Sequence, residues 1–465
     1  MAMCAKVARS EPAPAASRRG TLLDAVPGGP VSAEDVTIKD LGTCSYPSPA
    51  AAHLGEGAMH FVGKADKVLV DDRLSQLPAS AELLRQLPAF ELAGPRNRVF
   101  FDGGRARAGI VTCGGLCPGL NNVIRGLVLE LWFAYGIKRI TGFRYGYEGL
   151  IARGRTPEPL TPETVNRIHH QGGTILGSSR GEQDPVNVVD SLEALGINML
   201  FVIGGDGTIR GAMQIIAEIE KRGLSIGVIG VPKTIDNDIH FIDRSFGFES
   251  AYSASVEVIR AARVEATGAR DGIGLVKLMG RHSGFVACNA ALASTDVDLV
   301  LIPEVPMQLE GEHGVLRYVE RVLDRQGHAV IVVAEGAAQD LVANGTGADK
   351  SGNTKLGDVG VFLRDRITQH FKHEARDVTL KYIDPSYAIR SVAASPSDSV
   401  YCWNMARNAV HAAMAGNTEM LIGRWHGRFV HVPMPLATRN RKQVDPDDDV
   451  WTSVIEATGQ PRQFV

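Results

Sequence analysis

The chain has 465 residues, of which 49 are Lys or Arg and 52 are Asp or Glu, so its formal net charge is −3. This balance argues against a nucleic-acid partner, which would require clustered excess positive charge. Hydrophobic residues make up 44% of the chain, and no apolar run approaches the ~20 residues that cross a bilayer. We therefore expect a globular protein of the cytoplasm with two or three lobes and no membrane partner.

The six cysteines lie at positions 4, 44, 113, 117, 288 and 402 and form no C-x-x-C pair. Scattered cysteines in a long chain favour a reducing compartment over a disulfide framework. Cys113 and Cys117 lack the second pair that would complete a zinc site. Residues 1–20 are rich in Ala, Ser and Arg without an apolar core, so we predict an unstructured leader, with a transit peptide as the alternative.

Residues 1–98 form an irregular N-terminal extension in this interpretation, because Pro, Gly and Ala recur up to a linker-like GPRNR segment. From Arg105 onward, short apolar runs alternate with segments of helical spacing. The predicted strands are AGIVTC (108–113), NMLFVI (198–203), SIGVIGVP (225–232), GIGLVKLMG (272–280) and HAVIVVAEG (328–336). This alternation predicts an α/β fold in which helices cover both faces of a parallel sheet.

The motif GGDGT (204–208) follows the second of these strands. Glycines let the backbone approach a ligand closely, and the N–H groups at the start of the next helix suit a phosphate. Asp206 offers the oxygen ligand that Mg²⁺ prefers. The motif therefore indicates a nucleotide phosphate with Mg²⁺, and an ordinary turn with an aspartate helix cap is the alternative.

Further unusual motifs follow the other strands, where the ligand sites of parallel sheets lie. GGLCPGLNN (114–122) is a Gly-rich turn without the ending of a Walker A loop. LGSSRG places Arg180 in a loop, where its planar fork suits phosphate oxygens. PKTIDND (232–238) offers Asp236, a carboxylate able to accept the proton of an attacking alcohol. Each motif alone fits a turn or a solvated charge, but together they predict one cleft equipped for phosphoryl transfer.

The chain resembles the 6-phosphofructokinases from about Arg105 to about Arg424, because a long series of motifs occurs in the order found in that family. These motifs are GGLCPGLN, LGSSRG, GGDGT, PKTIDND, SFGFESA, VKLMGRHSGF, AEGA and LKYIDPSYAIR. The resemblance is closest to the plant- and trypanosomatid-like branch, whose members have N-terminal extensions. It implies transfer of the γ-phosphoryl group of ATP to the 1-hydroxyl of fructose 6-phosphate, a step of glycolysis.

We accordingly predict two Rossmann-like three-layer αβα lobes with an interleaved chain. The nucleotide-binding lobe would comprise residues 99–247 and 389–440, and the sugar-phosphate-binding lobe residues 248–388 and 441–465.

The resemblance also implies a role for individual residues. Asp236 would be the general base, with Arg281 and Lys233 as further catalytic residues, and Asp206 would hold Mg²⁺. The nucleotide would be surrounded by Gly115, Arg180, Gly181, Gly205, Asp206, Gly207 and Thr208. The sugar phosphate would be bound by Thr234, Ile235, Asp236, Met279, Gly280, Arg281, Glu335, Lys381, Tyr387 and Arg390.

The sequence positions 207 and 233 give opposite indications of the phosphoryl donor. Pyrophosphate-using relatives carry Asp at the position of Gly207, where a carboxylate would occupy the space of the nucleotide α-phosphate and repel its charge. Lys233 instead resembles the pyrophosphate enzymes, because bacterial ATP enzymes have Gly there. The combination favours ATP, and a pyrophosphate-dependent fructose 6-phosphate 1-phosphotransferase is the alternative.

Two other classes of protein are less compatible with the motifs. A lipid or NAD kinase shares GGDGT but not the later PKTIDND, MGR and YAIR segments. A non-catalytic regulatory subunit should have lost Asp206 or Asp236, and both are present. Lys381 stands where bacterial relatives usually have Arg, and Gly272 where they have an Arg supplied by a neighbouring subunit. Such residues cross a dimer interface in the family, so a homo-oligomer, a dimer or a tetramer, is expected.

Overall fold

The computed structural model describes residues 30–50, 61–151, 156–181, 183–342 and 355–465. The leader predicted over residues 1–20 lies outside these ranges. Within them, no helix combines the length and the apolar character needed to cross a membrane.

Strands and helices alternate along most of the described chain. The strands are, in chain order, β1 (Lys39–Asp40), β2 (Tyr46–Pro47), β3 (Lys67–Leu69), β4 (Ala89–Glu91), β5 (Arg98–Val99), β6 (Arg107–Thr112), β7 (Arg139–Phe143), β8 (Glu158–Pro159), β9 (Met199–Gly204), β10 (Gly227–Pro232), β11 (Gly272–Leu278), β12 (Leu299–Leu301), β13 (His328–Ala334), β14 (Thr379–Ile383), β15 (Asn417–Thr418), β16 (Met420–Trp425) and β17 (Arg428–Pro433). The helices are, in chain order, α1 (Ala81–Leu84), α2 (Leu120–Leu129), α3 (Pro185–Leu195), α4 (Asp206–Lys221), α5 (Phe248–Thr267), α6 (Phe285–Ser294), α7 (Val315–Gln326), α8 (Val359–His373), α9 (Ser386–Arg390), α10 (Pro396–Met414), α11 (Met434–Ala437) and α12 (Asp449–Thr458).

The larger sheet has the strand order β17-β16-β10-β9-β6-β7-β8. Its central strands are parallel, whereas β17 and β8 run antiparallel at the two edges. Every residue of β9 and β10 is buried, because α2 and α10 pack on one face of the sheet and α3 and α4 on the other. This explains why these strands are continuous apolar runs without polar alternation.

The smaller sheet has the order β12-β13-β11-β14, and all its strands are parallel. Helices α5, α6 and α12 bury apolar side chains against one face, and α7 and α8 against the other. The predicted α/β class with two αβα lobes is therefore confirmed. The chain returns to the larger sheet with β16 and β17 and then to the smaller lobe with α12, so it is interleaved. The exact domain boundaries given above remain a prediction.

The described part of the N-terminal extension packs onto the larger lobe. Strand β1 pairs with β15 in antiparallel register, and Phe90 of β4 is fully buried. The indole N–H of Trp425 donates a hydrogen bond of 3.0 Å to the carbonyl of Val70. These contacts attach residues 30–50 and 61–98 to the larger lobe.

Candidate active site

The carboxyl ends of strands from both sheets open into one cavity of about 1110 Å³. Parallel sheets commonly bind ligands at this edge, where loops and helix N-termini leave polar groups available. All the site residues predicted from the sequence line this cavity except Gly280 and Lys381. Asp206, after the larger sheet's β9, and Asp236, after its β10, therefore face the same space as Glu335 of the smaller lobe.

The GGDGT motif forms the start of α4. Gly205 caps this helix without a side-chain hydrogen bond, so the first N–H groups of the helix are available to a ligand. A Cβ atom on Gly204 would lie 2.4 Å from the side chain of Thr208, whereas a Cβ atom on Gly207 would meet nothing within 4 Å. Close packing thus requires glycine at 204, but at 207 the absence of a side chain only keeps the cavity open.

Beside this helix, hydrogen bonds join the Gly-rich turn after β6 to the loop that carries Arg180. Gly114, with φ at +86°, donates its N–H to the carbonyl of Ser179, and Ser178 Oγ donates to the carbonyl of Gly114 at 2.6 Å. A Cβ atom on Gly115 would lie 3.3 Å from Arg180 Nη2. The Gly-rich turn after β6 is therefore in close contact with the loop that carries Arg180.

Lys233 is buried at the end of β10, and its Nζ donates a hydrogen bond of 2.8 Å to the carbonyl of Gly115. Burial lowers the pKa of Lys233 below the ordinary lysine value. The side chain thereby connects β10 with the Gly-rich turn after β6. Sequence reasoning identified the residue but not this contact, which joins positions more than a hundred residues apart.

Asp236 is the acid of the PKTIDND loop with an unsatisfied oxygen. Its Oδ1 is inaccessible to solvent and has no hydrogen-bond partner among the described residues, while Oδ2 accepts a long bond of 3.4 Å from the N–H of Arg281. Burial, and then the charges of Asp238 and Glu335, raise the pKa of Asp236 to about 8. A buried carboxylate with a free oxygen and a pKa in this range is suited to accept a proton from a substrate.

Asp206 is held by two arginines that sequence reasoning did not identify. Its Oδ2 lies 3.3 Å from Arg210 Nε and 3.6 Å from Arg441 Nη2. Arg441 also donates from Nη1 to Asp238 Oδ2 at 3.1 Å, so one guanidinium connects the acid of GGDGT with the loop of the predicted base. For Arg210 the signal was its position four residues after Asp206 on the same helix. For Arg441 it was the basic run RNRK (439–442), and nothing in the spacing of that run connects it with the motifs.

The predicted sugar-phosphate residues extend along the smaller sheet. Met279 and Arg281 follow β11 and Glu335 follows β13, where burial raises the pKa of Glu335. On α9, the guanidinium of Arg390 stacks over the ring of Tyr387 at 4.6 Å, and Tyr387 is 76% exposed. Cationic and hydroxyl groups at this end of the cavity can bind an anion.

Gly280 and Lys381 lie outside the cavity. Gly280 has φ at +129°, and a Cβ atom there would approach the carbonyl oxygen of Ser283 to 2.4 Å, so glycine is required for the turn itself. Lys381 is exposed on β14. The structure therefore does not bring Lys381 together with the other predicted residues within one chain.

The chain is similar to known proteins over most of its length. A family model described as phosphofructokinase matches residues 107–413. The ATP-dependent 6-phosphofructokinase of Amycolatopsis methanolica is 53% identical over 441 residues, covering 93% of this chain and 96% of the relative. The ATP-dependent 6-phosphofructokinase 7 of Arabidopsis thaliana is 46% identical over 430 residues (91% and 86%), and the ATP-dependent 6-phosphofructokinase of Trypanosoma brucei brucei is 44% identical over 433 residues (92% and 88%).

Solved structures give the same fold at lower sequence identity. Pichia pastoris phosphofructokinase in the T-state matches with a TM-score of 0.60 and 21% identity, covering 82% of this chain and 38% of that one. The pyrophosphate-dependent phosphofructokinase from Marinobacter aquaeolei matches with a TM-score of 0.62 and 19% identity, covering 77% and 93%. At 21% and 19% identity, these two structures support the fold and not the choice of phosphoryl donor.

Proposed function

The chain belongs to the phosphofructokinase family, and on that basis we propose how the residues of the cleft divide the reaction. The protein transfers the γ-phosphoryl group of ATP to fructose 6-phosphate, giving fructose 1,6-bisphosphate and ADP in glycolysis. The observation that carries this activity is the 53% identity over 441 residues with an ATP-dependent 6-phosphofructokinase.

Asp236 serves as the general base in this proposal. Its carboxylate lines the cavity and accepts the proton of the 1-hydroxyl while the hydroxyl oxygen attacks the γ-phosphorus, and ADP leaves with the electron pair of the broken bond. Arg281 contacts the same carboxylate through its backbone N–H. The side chains of Arg281 and Lys233, which both line the cavity, supply positive charge near the developing negative charge. Thr234 supports the loop, because its Oγ1 donates to Asp238 Oδ1 at 2.7 Å.

Mg²⁺ is the metal that we assign to Asp206. The fit rests on the donor set, since the carboxylate lines the cavity at the N-terminus of α4 and Mg²⁺ prefers such oxygen ligands together with phosphate oxygens. When bound, the ion neutralises charge on the β- and γ-phosphates. Arg210 and Arg441 compensate the charge of Asp206 in the structure described here.

The nucleotide is expected in the glycine-lined part of the cavity. Gly115, Arg180 and Gly181 line the same cavity as the N-terminal turn of α4, and Gly205 and Thr208 belong to that turn. The open space at Gly207 accommodates the α-phosphate, which is the local reason for ATP over pyrophosphate.

The sugar phosphate is expected at the other end, where Ile235, Met279, Arg281 and Glu335 line the cavity. Tyr387 and Arg390 then bind the 6-phosphate, as a phenol and a guanidinium can together satisfy its oxygens. Gly280 contributes through the turn that it permits.

A homo-oligomer, a dimer or a tetramer, completes the proposal. Lys381 is exposed and outside its own cleft, as expected of a residue that serves a neighbouring subunit. At Gly272 a Cβ atom would lie 2.1 Å from the carbonyl oxygen of Ala266, so this fold has no room for the arginine of bacterial relatives. We assign the enzyme to the cytoplasm, in keeping with cysteines that are present as free thiols at 44, 113, 117, 288 and 402.

The assignment is tested by incubating the purified protein with fructose 6-phosphate and Mg²⁺, offering ATP or pyrophosphate separately, and following fructose 1,6-bisphosphate. Product formed with ATP and not with pyrophosphate is the expected result. Product formed only with pyrophosphate would refute the donor assignment, and no product with either would refute the activity. Sedimentation analysis of the same sample tests the oligomer.

A further inference from the structure

Lys277 of β11 is a cavity-lining cation to which neither the motifs nor the proposed mechanism gives a role. It lies two residues before Met279, and its side chain is 12% exposed. Its Nζ lies 2.9 Å from Asp384 Oδ2 and 3.2 Å from Asp358 Oδ1. Burial alone would lower the pKa of Lys277, but its hydrogen bonds to Asp384 and Tyr382 raise the pKa above the ordinary lysine value. The side chain is therefore a charged lysine in contact with two carboxylates.

Asp384 extends this ion pair to helix α9. Its Oδ1 accepts hydrogen bonds from the N–H of Ser386 at 3.1 Å and from Ser386 Oγ at 2.5 Å, while Oδ2 contacts Lys277. One carboxylate thus connects a buried strand of the smaller sheet with the first residue of α9. This helix carries Tyr387 and Arg390, the residues assigned to the 6-phosphate.

Helix α9 packs against α5 through Ile389 and has little stability of its own. It is five residues long, and so short a helix has little intrinsic stability. Ile389 is buried in the core of the smaller lobe, but Tyr387 is 76% exposed. The orientation of the phosphate-binding face therefore depends on the burial of Ile389 at one end and on Asp384 at the other.

We propose that Lys277 is a positioning residue for the sugar phosphate, which acts through Asp384 to hold α9 with Tyr387 and Arg390 ready to bind the 6-phosphate. The inference rests on the proposed function of those two residues. Its physical basis is preorganisation, since fixing a binding element beforehand removes the entropic cost of ordering it on binding. Lys277 does not itself bind the phosphate, because two carboxylates already satisfy its charge.

The test compares Lys277→Met, Asp384→Asn and the double variant in steady-state kinetics with each substrate varied. Asn at 384 retains an oxygen for Ser386 but loses the ion pair. We expect each single variant to raise KM for fructose 6-phosphate about tenfold, the effect of losing one charge-assisted contact. The double variant should be no worse than either single one, and kcat and KM for ATP should change by less than about twofold. Lys277→Arg should restore much of the affinity.

Calorimetric titration with fructose 6-phosphate in the absence of nucleotide measures the same loss without turnover. Lys372→Met, at an exposed lysine of α8, is the matched control and should behave as the wild type. Circular dichroism establishes that each variant is folded. If Lys277→Met does not fold, Asp384→Asn and Lys277→Arg still test the inference.

Three results would overturn the inference. The first is an unchanged KM for fructose 6-phosphate in Asp384→Asn. The second is a rise in this KM that is much larger in Lys277→Met than in Asp384→Asn, with additive effects in the double variant. The third is a fall in kcat at constant KM. The second result would indicate direct contact between Lys277 and the substrate. Failure of the underlying assignment looks different, because Tyr387→Phe and Arg390→Gln would then leave KM for fructose 6-phosphate unchanged.

Discussion

Replacing Asp236 by Asn removes the proposed base while keeping the size and shape of the side chain. A positioned base typically contributes about 10²–10⁴-fold to the rate, so kcat of Asp236→Asn should fall by that factor while KM for fructose 6-phosphate changes little. The unpaired Oδ1 is the structural reason, because that oxygen has no other bond to lose. A rise in KM with kcat preserved would make Asp236 a binding residue and refute the reasoning.

The same residue predicts the pH dependence of the wild-type enzyme. A group with a pKa of about 8 is about 9% ionised at pH 7 and about 1% at pH 6. Because only the ionised form accepts a proton, kcat/KM for fructose 6-phosphate should fall about tenfold per pH unit below pH 7 and level off above pH 9. A profile that stays flat from pH 9 to pH 6 would contradict the assignment.

Stability provides a second measurement on the same pair of proteins. Burial raises the pKa of Asp236 above its value of 3.8 in the unfolded chain, so between these values the folded state holds a proton that the unfolded state has lost. The contribution of this carboxyl to the free energy of unfolding is therefore fully present below pH 4 and is lost as the pH rises through 8. Asp236→Asn should gain in Tm relative to the wild type as pH increases from 5 to 8, whereas Asp340→Asn, at an exposed aspartate, should not.

Three other variants test separate parts of the structure. Gly207→Asp should raise KM for ATP strongly, because the new carboxylate occupies the open space beside α4. Gly207→Ala, whose Cβ meets nothing within 4 Å, is the control. Equal KM values for ATP in the two variants would contradict the donor argument. Arg441→Gln removes an ion pair of Asp238, whose charge raises the pKa of Asp236, so the acid limb of the kcat/KM profile should move to higher pH. Arg428→Gln, at an exposed arginine, should leave the profile unchanged. An unmoved profile in Arg441→Gln would count against an effect of Arg441 on the base. Trp451→Ala removes a side chain that is 1% exposed and should cost about 3–5 kcal/mol of unfolding free energy, whereas Trp403→Ala, at 39% exposure, should cost much less in urea unfolding.

Much of the cleft was predictable because its parts are local in sequence. Each motif contains its own strand end and turn, so an apolar run that ends in GGD predicts β9 with Asp206, and one that ends in PKTID predicts β10 with Asp236. Parallel strands then bring these ends to one edge. Gly207 was interpretable through the resemblance, because pyrophosphate-using relatives carry Asp there, and a Cβ atom at this position meets nothing within 4 Å in the structure.

The parts that escaped prediction depend on contacts between distant segments. Arg441 reaches Asp206 from more than two hundred residues away, and three helices and three strands separate Lys277 from Asp384 along the chain. An isolated arginine or lysine carries no periodicity that reveals its partner. The packing of Phe90 of β4 against Trp425, with ring centroids 6.2 Å apart, was hidden for the same reason, because the two residues are more than three hundred positions apart.

The interleaving of the chain also determines the order in which the enzyme can be completed during synthesis. All four strands of the smaller sheet have emerged once residue 383 has been translated, but β16 and β17 of the larger sheet follow only at residues 420–433. Until then β10 presents an unpaired edge, and Phe90 of the N-terminal extension lacks its later partner Trp425. The larger sheet therefore begins to form first but is completed after the smaller sheet. Until β16 and β17 have been synthesised, its exposed strand edge could pair with other chains.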